Sequence, residues 1–517
     1  MDAISPTAPD TGFRINWRVT PLRLAIGVLL LALVVRLAGI HARSLWLDEA
    51  YSAWFSSRGW RELWTVVPTY EPHPPFYYSL LKLWREIAGG SAVALRAFSL
   101  LFSIATIPLM IAACRELEQE RPSGRPLLRS GIATFLFACS PMLVMIGQEA
   151  RPYPVLVFGY ALALLGVLRL TREFGENGAG RWRSWMMLAV GTELGLWAHG
   201  LGVLYAVCLA AALAPAWLKA PTRDRLIRGL VAGAAIALLY LPCLAMMMNR
   251  AGDWGTGWLS WEPVMALQLL GLYAVPAEVM TIGSAVAAIV IFLLVKRALQ
   301  TSLQGRGWNA DRALLILWWG PPLLAIAISA LGMPIFLPRT LTGTLIPAYL
   351  SLAGALAGTM ASRERLAFTA ALVLTLTPTA FQMSLRPAME PWDEVSAYLK
   401  RNVRPGDQVW LYPNDSALPL REAGASVPMR GIPGDYPAVS FKGPIRAGSP
   451  AVVSVTAAQA RALAAQAGKS PSTIWVVTRQ SGIFDPNNDL SRELGKVRKR
   501  GTMAEWGYIN VTPYAFR

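Results

Sequence analysis

The sequence predicts a polytopic α-helical membrane protein that ends in a small extracytoplasmic α/β domain. Three observations carry that reading. Of all residues, 54% are hydrophobic and only 15% charged, whereas a soluble domain carries roughly a quarter charged residues. Long apolar runs recur from residue 22 to residue 383. The basic residues gather in short loops between those runs, so the net charge of +17 reads as membrane topology rather than nucleic-acid binding.

Each long run is a candidate span. A bilayer core needs about 20 apolar residues per helix, because every backbone amide must be satisfied within the segment. We expect eleven transmembrane helices, at 22–40, 92–113, 130–147, 152–170, 185–198, 201–218, 229–248, 278–295, 313–331, 340–360 and 366–383. The limits of 185–198 and 340–360 are the least defined. Segment 263–276 is read as an amphipathic or re-entrant helix, since a further crossing would break the alternation of basic loops. Those loops carry Arg14, Arg18 and Arg23; Arg115, Arg121, Arg125 and Arg129; Arg172, Arg181 and Arg183. The series continues with Lys219, Arg223, Arg225 and Arg228; Lys296, Arg297, Arg306 and Arg312; Arg363 and Arg365. Basic loops mark the cytoplasmic side, which places the N-terminus inside and the tail outside. Run 22–40 is long enough to span and lacks a small-residue cleavage site, so it reads as a retained helix rather than a signal peptide.

Other chemistries are argued against directly. Cys114, Cys139, Cys208 and Cys243 lie in or at the ends of spans, which leaves the exported regions no disulfide framework. The chain has no CxxC, P-loop or GxGxxG arrangement to suggest redox, ATP or dinucleotide chemistry. Its three histidines, His41, His73 and His199, are too few for a His-rich metal centre.

Two domains follow: a transmembrane module, 1–384, containing a first exported loop at 41–91, and a soluble tail, 385–517. In the loop, Trp54, Trp60, Leu63 and Trp64, then Phe76, Leu80, Leu83 and Trp84, have helical spacing, as in helices lying at headgroup depth. In the tail, 391–401 and 456–466 read as helices, 408–412 and 473–478 as strands, and 413–450 as irregular.

Candidate chemistry collects in the outward loops. Asp48 and Glu49 follow Leu45-Trp46-Leu47 just outside the first span; Glu71, His73 and Tyr77 lie in EPHPPFYY; Glu149, Arg151 and Tyr153 lie in QEARPY; Arg339 sits in FLPRTL. Charge at membrane depth is costly and tends to be functional. Acids beside arginines suit a reaction with an anionic leaving group and a nucleophile that must lose a proton. The bland alternative for Asp48 and Glu49 is a solvated helix start with acid in its first turn. His199 is either a packed residue at a helix end or, with Glu71 or Glu149, a metal ligand. Trp254, Trp258 and Trp261, flanking Asp253 and Glu262, form either a stacking platform or an interfacial belt. The run 496–500 reads as a solvated face, with anionic lipid or polysaccharide contact as the sharper alternative.

The succession LWLDEAYSA, EPHPPFYYSLLKLW, QEARPY, FLPRTL and WDEVSAYLKRNVRPGDQVWLYP resembles bacterial glycosyltransferase family 39 and the aminoarabinose-transferase-like proteins, which share the GT-C fold. The resemblance implies an inverting transfer of a sugar from a polyprenyl-phosphate carrier to an acceptor hydroxyl at the outer face of a bacterial inner membrane. It makes Asp48 the general base and Glu49 its neighbour. It assigns Glu49, Glu71, His73, Tyr77, Glu149, Arg151, Tyr153 and Arg339 to substrate binding, with Arg151 on the carrier phosphate or positioning Asp48, Glu149 on the acceptor or a metal ion, and Arg339 near the carrier phosphate. A divalent metal cofactor, held by His199 and Glu71, is an open expectation. Aminoarabinose transferases have Lys where this chain has His73, which puts the phosphate contact there in doubt. The expected partners are the lipid-linked donor, a glycan, lipid or protein acceptor, and membrane lipid. A secondary transporter, or a lipid- or polysaccharide-binding membrane protein without catalysis, is the rival reading.

Overall fold

The computed structural model describes residues 20–69, 71, 73–176, 178–219, 221–248, 261–276, 279, 281–304, 307–358, 360–434 and 455–517. Seven segments are helical, long and apolar enough to cross a membrane: Ala92–Glu120, Tyr153–Gly175, Arg223–Met248, Ile282–Leu303, Ala310–Ala330, Pro338–Ala357 and Ser362–Ser384. The pair Pro126–Cys139 and Pro141–Gly147, bent by 59°, makes an eighth. The other three expected spans are the helices Pro21–Leu37, Trp182–Ala198 and Gly202–Leu218, each of 17 residues, or about 25 Å at 1.5 Å per residue. The chain is a multi-pass membrane protein.

Segment 263–276 forms a short helical stretch, Pro263–Tyr273, too short to cross a bilayer core. Val264, Leu267 and Leu270 are exposed while Met265, Leu269 and Tyr273 pack inward, so it is amphipathic as expected.

Where the expected span 130–147 runs straight, the structure breaks it. Proline cannot donate, and it disfavours helical backbone in the residue before it. Ser140, ahead of Pro141, is accordingly extended and caps the second half through Leu143 N–H. Arg36, fully buried in the first span, answers the carbonyls freed at the break. It donates to Ala138 O at 2.9 Å, Phe137 O at 3.2 Å and Ser103 Oγ at 2.9 Å. This cation in a span was not anticipated from the hydropathy pattern.

Small residues set the closest helix approach. A side chain on Gly159 or Gly166 would strike the backbone of the Trp182–Ala198 helix at Gly191 O (2.8 Å) or Leu188 N (2.6 Å). The basic loops meet one another at one end of the bundle: Arg121 reaches Asp311 and Thr301, Arg125 reaches Ala357, and Arg225 reaches Gly178. The loops bearing Asp48, Glu149 and Arg339 meet at the other end.

The first loop folds as the helices Leu47–Ser56, Trp60–Thr65 and Phe76–Ala88. Trp60, Trp64, Leu83 and Ile87 are exposed, as an interfacial helix requires, while Trp54 and Leu63 are buried. The tail is a mixed sheet in the order β2-β1-β3-β6-β4. Its strands are β1 (Gln408–Tyr412), β2 (Met429–Gly431), β3 (Ile474–Arg479), β4 (Lys499–Arg500), β5 (Ala504–Trp506) and β6 (Ile509–Ala515), with β5 paired to β6. β1 pairs in parallel with β2 and β3, and β6 runs antiparallel to β3. Helices Trp392–Asn402 and Ala457–Gly468 stand within two residues of their expected limits.

Two expectations are corrected here. The stretch after residue 413 is not wholly irregular, since it holds the helix Ala417–Glu422 and β2; residues 435–454 lie outside the described residues. The run 496–500 is not simply a solvated face. Lys499 and Arg500 are exposed, but Arg498 is fully buried, donating to the carbonyls of Ala467, Ser472 and Tyr514.

Candidate active site

Asp48 stands in the first turn of Leu47–Ser56, where an acid is favoured by the helix dipole. Its Oδ2 lies 3.4 Å from Arg151 Nη2 and 3.6 Å from Arg339 Nη2, and Arg151 also donates to the Asp48 carbonyl at 3.1 Å. The Asp48 side chain is 23% exposed and Arg339 27%, while Arg151 is buried at 5%. Burial pushes the Asp48 carboxyl up, but Arg151, Arg339, Arg479 and His73 together outweigh it and hold it below its ordinary range. The Arg339 guanidinium lies 5.6 Å from the Trp46 ring and 6.0 Å from the Tyr153 ring, and Arg151 lies 5.9 Å from Tyr153. The Nε–H groups of both arginines are buried without a protein acceptor.

Glu49, one residue on, is fully buried. It takes two bonds from Arg96, at 2.8 and 2.6 Å, and one from Ala150 N at 2.9 Å. Arg96 spends its remaining donors on the carbonyls of Ile40, Arg43 and Ser44. Glu149 pairs with Arg386 at 3.0 Å; burial, set against the Arg386 charge, raises its carboxyl above the usual value. Beside it, Gln148 accepts from Arg43 and donates to Arg36 O and Ser384 Oγ.

His73 Nδ1 bonds Glu71 Oε1 within their own turn. Burial alone would raise the Glu71 carboxyl, but His73 and Arg151 together outweigh it and hold it below the usual value. The His73 ring stands edge-on to His199 at 4.5 Å, and Tyr153 lies 5.6 Å beyond. Burial, then the charges of His73, Arg151 and Arg339, drive the His199 imidazole well below its ordinary value. Its Nδ1 accepts from Leu201 N at 3.1 Å, which leaves the proton on Nε2. Tyr77 is buried in the Phe76–Ala88 helix, and burial raises its phenol.

The structure thus brings Asp48, Arg151, Tyr153, Arg339, His73 and His199 together. Glu49 and Glu149 are held beside them in separate ion pairs. Trp261 packs edge-on against Phe336 at 5.3 Å, while Trp254, Trp258 and Asp253 lie outside the described residues. For the expected metal, the donors do not fit. Glu71 is taken by His73, and His199 Nδ1 by a backbone N–H. Among the described residues no three His, Cys, Asp or Glu side chains form a group that could hold an ion.

Sequence reading missed the tail's share. Arg479, at the end of β3, pairs with Glu390 at 3.3 Å and Asp415 at 3.8 Å, and Asp415 meets Tyr51 OH at 3.4 Å. Nothing in the spacing of Arg479 ties it to a motif some 430 residues earlier. The only local signal was an unpaired-looking charge ending a hydrophobic strand.

This fold, a bundle of apolar helices with a charged site at one end capped by the first loop and a mixed-sheet tail, is similar to the GT-C fold of several solved membrane proteins. Solved structures of that class overlay on nearly the whole chain. ArnT from Cupriavidus metallidurans, in the apo state, matches with a TM-score of 0.57 at 13% identity, over 94% of this chain and 97% of its own. The same protein bound to undecaprenyl phosphate gives 0.56 at 14%, with the same coverage. The archaeal oligosaccharyltransferase AglB from Archaeoglobus fulgidus, with an inhibitory peptide and a dolichol-phosphate, gives 0.55 at 14%, over 98% of this chain and 75% of its own. No family model matches the chain, and no curated protein matches it in sequence.

Proposed function

We propose that this protein is an inverting membrane glycosyltransferase that moves a sugar from a polyprenyl-phosphate carrier to an acceptor hydroxyl at the extracytoplasmic face. The observation that carries the reading is the Asp48 carboxylate, partly exposed and shared by Arg151 and Arg339. Bound undecaprenyl phosphate and dolichol-phosphate in two proteins of like fold support a lipid-phosphate donor.

The residues divide the work as follows. Arg151 and Arg339 take the carrier phosphate, whose oxygens satisfy the two buried Nε–H groups. The acceptor oxygen attacks the anomeric carbon as the carbon–oxygen bond to phosphate breaks. Its proton passes to Asp48, and the leaving phosphate keeps the electron pair against the two arginines. A single displacement of this kind inverts the sugar. Before the donor arrives, the arginines make Asp48 a weak base. A phosphate that draws them away raises its proton affinity at the moment a base is needed. Tyr153 and His73 line this site, neutral His199 backs it, and Tyr77 and Glu71 pack behind them. Glu49 and Glu149 hold its walls in place rather than touch substrate. The basic loops at the far end of the bundle support an extracytoplasmic site in the plasma membrane.

The test is transfer from undecaprenyl-phosphate-linked sugars in membranes. Asp48→Asn should cut the rate by about 10² to 10⁴. Transfer at the wild-type rate by that variant would refute the base assignment. Failure of the wild type with every such donor would refute the transferase reading.

A further inference from the structure

The helix that carries Asp48 has no cap of its own. Its N-cap residue is Trp46, whose side chain makes no capping bond. The missing acceptor comes from the tail, 343 residues later: Glu390 Oε2 receives Leu47 N–H at 3.0 Å. The same oxygen receives Trp392 Nε1 at 3.0 Å, and Glu390 Oε1 receives Arg479 Nη1 at 3.3 Å. Ser44 ties the connecting strand down, donating to Glu390 O at 3.2 Å and accepting from Trp392 N at 3.0 Å. On the next turn of the same helix Tyr51 meets Asp415, which Arg479 also pairs. The tail therefore grips Leu47–Ser56 at residues 47 and 51, on either side of Asp48.

From this grip we infer that Glu390, with Arg479 behind it, is a positioning residue, and that the soluble tail is a structural part of the catalytic site. Glu390 and Arg479 are almost fully buried (side chains 4% and 6% exposed). A buried ion pair is a poor device for stability alone, because desolvation offsets much of its attraction. A carboxylate that ends a helix at its N-terminus instead fixes where that helix begins, and so where its first-turn side chain points. Asp48 must meet an acceptor proton within hydrogen-bond distance, and an error of about 1 Å costs on the order of 10²-fold in rate.

The claim that Glu390 caps the helix is independent of the transferase reading, whereas its catalytic meaning rests on Asp48 being the base. Three measurements on the whole chain in detergent separate them. Amide hydrogen exchange over residues 46–52 should speed up about tenfold in Glu390→Ala and return near wild type in Glu390→Gln, which keeps an oxygen for Leu47 N–H. Undecaprenyl phosphate alone should raise the melting temperature of the wild type and of both variants alike, the result expected of an intact carrier site. In transfer assays Glu390→Ala should lower kcat about 10- to 100-fold with KM little changed, and Glu390→Gln should recover part of the loss. Unchanged exchange in Glu390→Ala overturns the inference whatever the enzyme does. Faster exchange with wild-type kcat overturns the positioning role and leaves a cap only. If exchange responds but the wild type transfers no sugar, the transferase reading fails while the cap stands.

Discussion

Two carboxylate pockets lie side by side at one end of the bundle, opposite the basic loops. Around Glu49 every donor and acceptor is spent: Arg96 and Ala150 close on the acid, and Arg96 is closed in turn by three carbonyls. Around Asp48 the pairing is looser. Two arginines share one oxygen at 3.4 and 3.6 Å, both acid and Arg339 keep some exposure, and two guanidinium N–H groups have no acceptor. The first pocket has the composition of an anchor, and the second is the one we propose takes the anionic donor. Equal charge on adjacent residues thus supports opposite roles, and the division rests on which hydrogen bonds remain unmade.

The sharpest way to break this contrast is to neutralise each acid in turn. Glu49→Gln leaves Arg96 buried without a counter-charge and should cost about 3–5 kcal/mol of stability, read as a large fall in melting temperature. Asp48→Asn should stay folded and lose about 10³ in kcat, roughly 4 kcal/mol of barrier. If the two losses exchange places, so do the roles.

Asp415 extends the comparison into the tail. Burial first, opposed by Arg479, raises its carboxyl to about 6 from 3.8. A raised acid favours the folded state below its unfolded value and loses that advantage as pH rises through the folded one. Asp415→Asn should therefore be the more stable protein at pH 7.5, by up to about 3 kcal/mol, with the gap closing near pH 4. Thermal unfolding across that range checks the sign.

A smaller effect is expected at Arg339. Arg339→Gln removes one of the cations holding Asp48 ionised, so the acid limb of kcat/KM should move to higher pH. KM for the lipid-phosphate donor should rise about tenfold with the lost phosphate contact. An unmoved acid limb would separate Arg339 from Asp48.

Much of this architecture is legible in the one-dimensional pattern. Apolar runs and basic loops locate the helices because a bilayer constrains length and charge more tightly than water does. The break at Ser140-Pro141 is less visible, since hydropathy ignores a missing N–H. Arg36 and Arg498 escape because each is satisfied by backbone carbonyls that no sequence spacing reveals. Among the site residues, Asp48, Arg151, Tyr153 and Arg339 come together as their positions in the loops opposite the basic ones suggest. Glu49 and Glu149 carry the same carboxylate group as Asp48 and differ from it in burial and in partners.

By itself, then, the sequence determined which segments enter the membrane, which loops share a face and which charged residues stand there. Those properties are local, being written in hydropathy, helix length and loop charge. Only the tertiary structure decided that Asp48 is open and Glu49 closed, and that Glu390, Asp415 and Arg479 of the tail join the first-loop helix. These are pairings across about fifty to nearly four hundred residues, and they are chosen by which buried donors and acceptors the packed chain brings within 4 Å.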